Sequence, residues 1–115
     1  MQVLNAMVAL GNDRYNMLWK TNITPPEILL LQQLHGQDAV TQIEPVGEID
    51  RQPFEELDRL KTAYPIHRAK VQDLWRDWPG ERFPMRLDQL GLNPALLKPR
   101  EASRDYVMPA KTAAA

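Results

Sequence analysis

The chain contains no cysteine. That removes disulfides, iron–sulfur clusters, thiolate nucleophiles and cysteine-based zinc sites in one step. It leaves the redox compartment open. Histidine is nearly as scarce. Only His35 and His67 occur, and neither has a local histidine or carboxylate that completes a metal or general-base arrangement. Both read as structural residues, and His35, just before Gly36, reads as an imidazolium complementing a helix C-terminus. No G-x-G-x-x-G, G-x-x-x-x-G-K or G-x-S-x-G is present, so Gly11-Asn12-Asp13 is a turn and not a phosphate cradle. Long apolar runs are missing too. The longest aliphatic run, Ile28-Leu29-Leu30-Leu31, is far too short to span a bilayer. Met1 to Leu10 is apolar, but Asn5 interrupts it and the first cation is Arg14. A signal peptide is therefore not expected, and the protein is expected to be made in the cytoplasm of its host cell. A dominant charge is also lacking, because 14 Lys/Arg face 15 Asp/Glu for a formal net charge of −1. No global field draws in nucleic acid or an anionic membrane.

What is present is an ordinary globular composition, 43% apolar and 25% charged over 115 residues, enough for one domain. Residues 2–10 read as a strand, with Val3 and Val8 suited to a pleated surface. Gly11-Asn12-Asp13 turns the chain, and residues 15–23 return as a second strand carrying Met17, Leu18 and Trp19. Thr24-Pro25-Pro26-Glu27 opens a helix. Threonine suits the N-cap, proline the first helical position, and Glu27 stands where it can reach back to the cap N–H. That helix runs to His35 and ends at Gly36. Residues 39–44 alternate in part and read as a short strand stopped by Pro45 and Gly47. Asp50 can cap a second helix near 52–64, with Phe54, Leu57, Leu60 and Tyr64 on its inner face. A third helix near 66–78 follows Pro65. It places His67, Val71, Leu74, Trp75 and Trp78 on one face before Pro79-Gly80 stops it.

Beyond Gly80 the prolines thicken, with Pro79, Pro84, Pro94, Pro99 and Pro109 falling between 79 and 115. Leu92, Leu96, Leu97, Tyr106, Val107 and Met108 are spaced along this stretch as anchors on an extended path would be. The charge is divided as well. Residues 1–80 hold 8 Lys/Arg against 11 Asp/Glu, and residues 81–115 hold 6 against 4.

Other clusters read as structural. Glu55, Glu56 and Asp58 adjoin Arg59 and Lys61 on a helix, where neighbouring side chains diverge. They read as a solvated charged face. Glu48 and Asp50 lack calcium-loop spacing and read as a solvated turn. Trp75 and Trp78 stand near Arg68, Lys70 and Arg76 as in a stacking platform for single strands. Core packing explains their spacing, and tryptophans also anchor protein interfaces.

The stretch Lys20-Thr-Asn-Ile-Thr-Pro-Pro-Glu-Ile, then Leu-His-Gly-Gln-Asp-Ala-Val and Gly47-Glu-Ile-Asp-Arg, resembles small uncharacterised proteins of tailed bacteriophages in which a TPxEI helix leads into HGxDAV. The resemblance covers about residues 20–61 and brings no catalytic residues. It implies a particle or assembly component and not an enzyme.

The expected fold is α+β: a small antiparallel sheet from residues 2–10, 15–23 and 39–44, packed by three short helices. A mostly α chain with irregular ends is the alternative. Residues 1–80 form the expected core and 81–115 an extended C-terminal arm. The expected function is a virion structural or assembly protein of capsid, connector or tail. It binds other virion proteins and copies of itself through Trp75, Trp78, Leu92, Leu96, Leu97, Tyr106, Val107 and Met108. No catalytic residue, cofactor or metal is assigned. The main rival is a small regulatory module that binds and inhibits a host protein. A nucleic-acid binder predicts steep salt dependence, and an enzyme needs a convergent polar pocket.

Overall fold

The pleat of the first strand places Leu4, Ala6 and Val8 on one face, which is fully buried, while Val3 and Ala9 are buried on the other. The computed structural model describes residues 1–98. The strands are β1 (Gln2–Ala9), β2 (Met17–Ile23) and β3 (Val40–Glu48). The helices are α1 (Pro25–His35), α2 (Pro53–Ala63) and α3 (Arg68–Asp77). The sheet has three strands in the order β2-β1-β3, and β1 is antiparallel to both neighbours. This is the expected α+β fold.

The β1–β2 hairpin is closed by the expected turn. Gly11 and Asn12 take φ of 63° and 61°, and Asp13 accepts the Tyr15 N–H through Oδ1. The Leu10 N–H donates to the Asn16 carbonyl at 2.9 Å, sealing the hairpin mouth. α1 then carries the chain from one sheet edge to the other. Thr24 caps it by accepting the Glu27 N–H at 3.4 Å. Gly36 ends it at φ 118°, a conformation that favours glycine.

The core has two parts. Leu4, Ala6 and Val8 meet Ile23, Ile28, Leu31, Val40, Ile43 and Leu90 between the sheet and α1. Leu30, on another side of α1, joins Leu57 and Leu60 of α2, Val71 and Leu74 of α3, and Phe83. α1 is therefore the shared wall, which explains why its apolar residues circle most of its surface.

Several expectations change. β3 runs on through Pro45 and Gly47 to Glu48. It is an edge strand, where a missing N–H is tolerated, and its register with β1 shifts between Val3 and Leu4, beside the Leu4–Pro45 pair. α2 is capped by Gln52 and not Asp50, with Pro53 in the first turn, and the Glu55 carboxylate accepts the Gln52 N–H at 2.8 Å. Phe54 is 66% exposed, because the second apolar cluster is filled from Leu57 onward. His67 lies in a 3-10 turn, Pro65–His67, that joins α2 to α3.

The boundary expected near residue 80 is absent among the described residues. After α3 the chain folds back instead of leaving as an extended arm. Phe83 and Leu90 are buried core residues. The Gln2 N–H donates to the Met85 carbonyl at 2.8 Å, and the Leu87 N–H donates to Gln2 Oε1 at 2.6 Å. Leu97 bridges Ile43 on β3, and the Lys98 N–H donates to the Ile43 carbonyl at 3.0 Å. The prolines here separate short 3-10 turns, Gly80–Arg82, Leu87–Leu90 and Pro94–Leu96, so that spaced leucines can reach back to the core. Tyr106, Val107 and Met108 lie outside the described residues.

Candidate interaction surface

Buried charge is the first place to look for chemistry, and this fold buries two carboxylates. Glu56, read from the sequence as facing water, is fully buried, and Glu27 is 3% exposed. The α1–α2 contact brings them together around Arg59. Its Nη2 donates to Glu27 Oε1 at 2.7 Å and to Glu56 Oε2 at 2.6 Å. Arg51 donates to Glu56 Oε1 at 2.6 Å, the Thr24 hydroxyl donates to Glu56 Oε2, and the Tyr64 hydroxyl donates to Glu27 Oε2 at 2.6 Å. Lys20 approaches Glu27 Oε2 at 3.8 Å. Glu27 therefore serves this network and does not reach back to the α1 cap as the capping box predicted.

Burial alone pushes the Glu56 carboxyl up, but hydrogen bonds from Arg59, Thr24 and Arg51 and the Arg59 charge outweigh it and hold it below its ordinary value. Tyr64 is pushed well above the phenol range, first by burial and then by donating to the Glu27 carboxylate. All four carboxylate oxygens have partners from the protein itself. The arrangement neutralises buried charge and ties β2, α1 and α2 together. Adjacent helix residues diverge, as expected for Glu55 and Glu56. Arg59 and Arg51 are near Glu56 in sequence, but the Thr24 hydroxyl and the Glu27 carboxylate that close the network from α1 lie 32 residues from their partners, for which no local signal exists.

The histidines separate. His35 Nδ1 accepts the Gly11 N–H at 2.9 Å, so its ring ties the end of α1 to the hairpin turn. Among the described residues no three His, Asp or Glu side chains are placed to hold a metal ion. A small, mainly apolar hollow of about 280 Å³ lies between Gln2, Arg86, Leu87, Asp88, Leu92 and Leu97. Gln2 Oε1 and Arg86 are already engaged there, with Leu87 and with Glu48 at 2.7 Å.

The sequence-expected interface residues are drawn into the fold to differing degrees. Trp75 is 38% exposed, its ring 5.6 Å from that of Phe83. Trp78 packs half-buried on the second cluster, and Leu92, Leu96 and Leu97 pack half-buried on the first. Their apolar surface is shared with the chain's own core.

The unspent apolar surface lies elsewhere. Met17, Leu18 and Trp19, consecutive in β2, are 45%, 45% and 43% exposed, and Tyr15 at the hairpin tip is 99% exposed. Pairing with Met7 and Ala9 puts Trp19 and Met17 on the sheet face opposite the buried Leu4, Ala6 and Val8. Leu18, opposite Val8, points to the helical side beyond both core clusters. β2 is also an outer strand. Antiparallel pairs alternate between bonded and unbonded, and the Leu10–Asn16 bond sets the phase. Leu18 and Lys20 then bond to β1, while the backbone N–H and C=O of Met17 and Trp19 point away from the sheet. Among the described residues nothing pairs with them. The opposite edge differs, since Leu97 and Lys98 pin β3 at Ile43 and Pro45 lacks a donor there. The signal for this surface was visible as three apolar residues in a row. A strand covered on one face only shows alternation, so the unbroken run marks apolar surface on both faces.

No helix of the described residues is long and apolar enough to cross a membrane. No protein-family model, curated protein or solved structure matches this chain.

Proposed function

We propose that the protein is an assembly component, a structural part of a tailed-bacteriophage particle that joins neighbouring protein subunits. The observation that supports assembly is the open outer edge of β2, with Met17, Leu18 and Trp19 exposed along it. Unpaired strand edges with apolar side chains bind other chains by strand addition. The backbone supplies the hydrogen bonds and the alternating side chains the selectivity. The particle setting rests on the likeness of the Thr24–Ile28 and Leu34–Val40 stretches to small phage proteins.

The test is the mass of the full chain in solution, by light scattering over a concentration series, for the native protein and for Met17→Lys/Trp19→Lys. A multimer that falls to monomer in the double variant supports the reading. A monomer at every concentration overturns it and favours the regulatory alternative, a module that acts singly on a host protein.

A further inference from the structure

The open edge of β2 is complementary to itself. We propose that its occupant is β2 of a second copy of this chain, run antiparallel about a two-fold axis through Leu18, so that the two sheets become one continuous sheet. This deepens the assembly reading and rests on it.

The backbone sets the first condition. The outward groups of β2 belong to Met17 and Trp19, since Leu18 and Lys20 are turned to β1. A second strand can bond there only if its own outward residues stand opposite. Centring the axis on Leu18 meets that condition, because Met17 then faces the partner copy's Trp19 and Trp19 faces the partner copy's Met17. Both pairs exchange backbone hydrogen bonds. Leu18 faces its own symmetry mate in the unbonded position, where side chains approach most closely.

The side chains agree with this register. Met17 and Trp19 share one face, so each methionine thioether lies beside an indole, a favourable pairing. The two Leu18 side chains meet on the helical side. Lys20, the only charged residue of β2, faces Asn16 and not another lysine. Sliding the axis by one residue to Trp19 keeps the backbone phase but sets Leu18 against Lys20. The Leu18-centred register is therefore preferred.

The irregularities of the strand limit the contact. The β1–β2 register shifts between Leu4 and Ala6, and Asn22 takes φ 55° with its N–H bonded to Asn5 Oδ1. The regular part of the edge ends near Lys20, so pairing is confined to about Asn16–Lys20. Because the far edge is pinned at Ile43, the association uses the same edge on both copies and closes as a dimer instead of growing into a fibre.

The absence of cysteine makes the register directly testable. Leu18→Cys and Tyr15→Cys are each made in the full chain, oxidised mildly and run without reductant, while light scattering gives the mass of each unoxidised variant. In the proposed dimer the two Cβ atoms at position 18 lie about 4.5–5.5 Å apart, close enough for small movements to allow a disulfide. The Tyr15 positions stand about 20 Å apart, six residue steps along the strand. The expected result is a dimer by mass, with Leu18→Cys cross-linked at least ten-fold faster than Tyr15→Cys, although position 15 is the more exposed. A multimer with no preference for position 18 overturns this pairing and leaves the assembly reading standing. A monomer without cross-link overturns both. Circular dichroism matching the native chain confirms that each variant is folded.

Discussion

Glu56 shows how strongly a single side chain can depend on its surroundings. It is fully buried and ionised beside Arg59 and Arg51. Removing one member of such a set leaves the others buried without compensation, which costs more than the set contributes over an apolar replacement. Glu56→Gln keeps the shape and removes the charge. It is expected to lower stability at pH 7 by about 3 kcal/mol, measured by urea denaturation. The pH dependence follows from the direction of the shift. The folded-state pKa is lowered from 4.5, so this contribution is complete above the unfolded value and fades as pH falls through the lower folded one. The gap between native protein and Glu56→Gln is therefore expected to shrink well below pH 4.5. An equal gap at pH 7 and at pH 3 would show that charge is not what holds this cluster. Tyr64 acts at the other end. Its pKa is raised above 10, so stability tied to it is present below pH 10 and declines as pH climbs beyond that.

Among the elements, β3 carries the most local strain. Gln42 takes φ 54° inside a strand, in the stretch where the β1–β3 register shifts between Asn5 and Met7. A left-handed conformation costs an ordinary residue about 1–2 kcal/mol, while glycine adopts it freely. Gln42 is exposed, and among the described residues its side chain makes no hydrogen bond. Gln42→Gly is therefore expected to stabilise the protein by about 0.5 kcal/mol after the greater flexibility of unfolded glycine is subtracted. A loss of stability in thermal denaturation would mean the bulge is held by something other than backbone tolerance. β2 manages its edge in a different way. Its bulge at Asn22 and its one cation, Lys20, shorten the pairable stretch without closing it.

For the whole molecule, the last described residues belong to the domain. Leu92, Leu96 and Leu97 lie against the cluster between sheet and α1, and Leu97–Lys98 lies along β3. Half-buried leucines contribute about 1 kcal/mol each. Deleting residues 92–115 is expected to cost about 3 kcal/mol or more, seen as a lower urea midpoint. An unchanged midpoint would mean that this stretch only rests on the surface. Such a deletion therefore tests stability before it tests assembly. The Met17 and Trp19 substitutions act on an exposed edge and leave the core untouched.

The local elements follow from short stretches of neighbouring residues. The strand over residues 2–10, the turn at Gly11-Asn12, the Thr24-Pro25 helix start and the Gly36 stop each rest on a few neighbouring residues, and each appears in the fold. What those elements meet depends on how they pack in three dimensions. Among the described residues, strand order left β2 with an unpaired edge and gave β3 a partner at Leu97. The crossing of α1 and α2 turned Glu56 from an apparent surface charge into a buried one, because Arg59, Arg51 and Thr24 converge on it. The proline-rich stretch looked extended because proline interrupts regular structure whether a chain departs from the core or packs against it. Burial of Phe83 and Leu90 settled that question for residues up to 98. Local steric and hydrogen-bonding preferences are written in neighbouring residues, whereas burial and edge exposure depend on residues far apart in sequence.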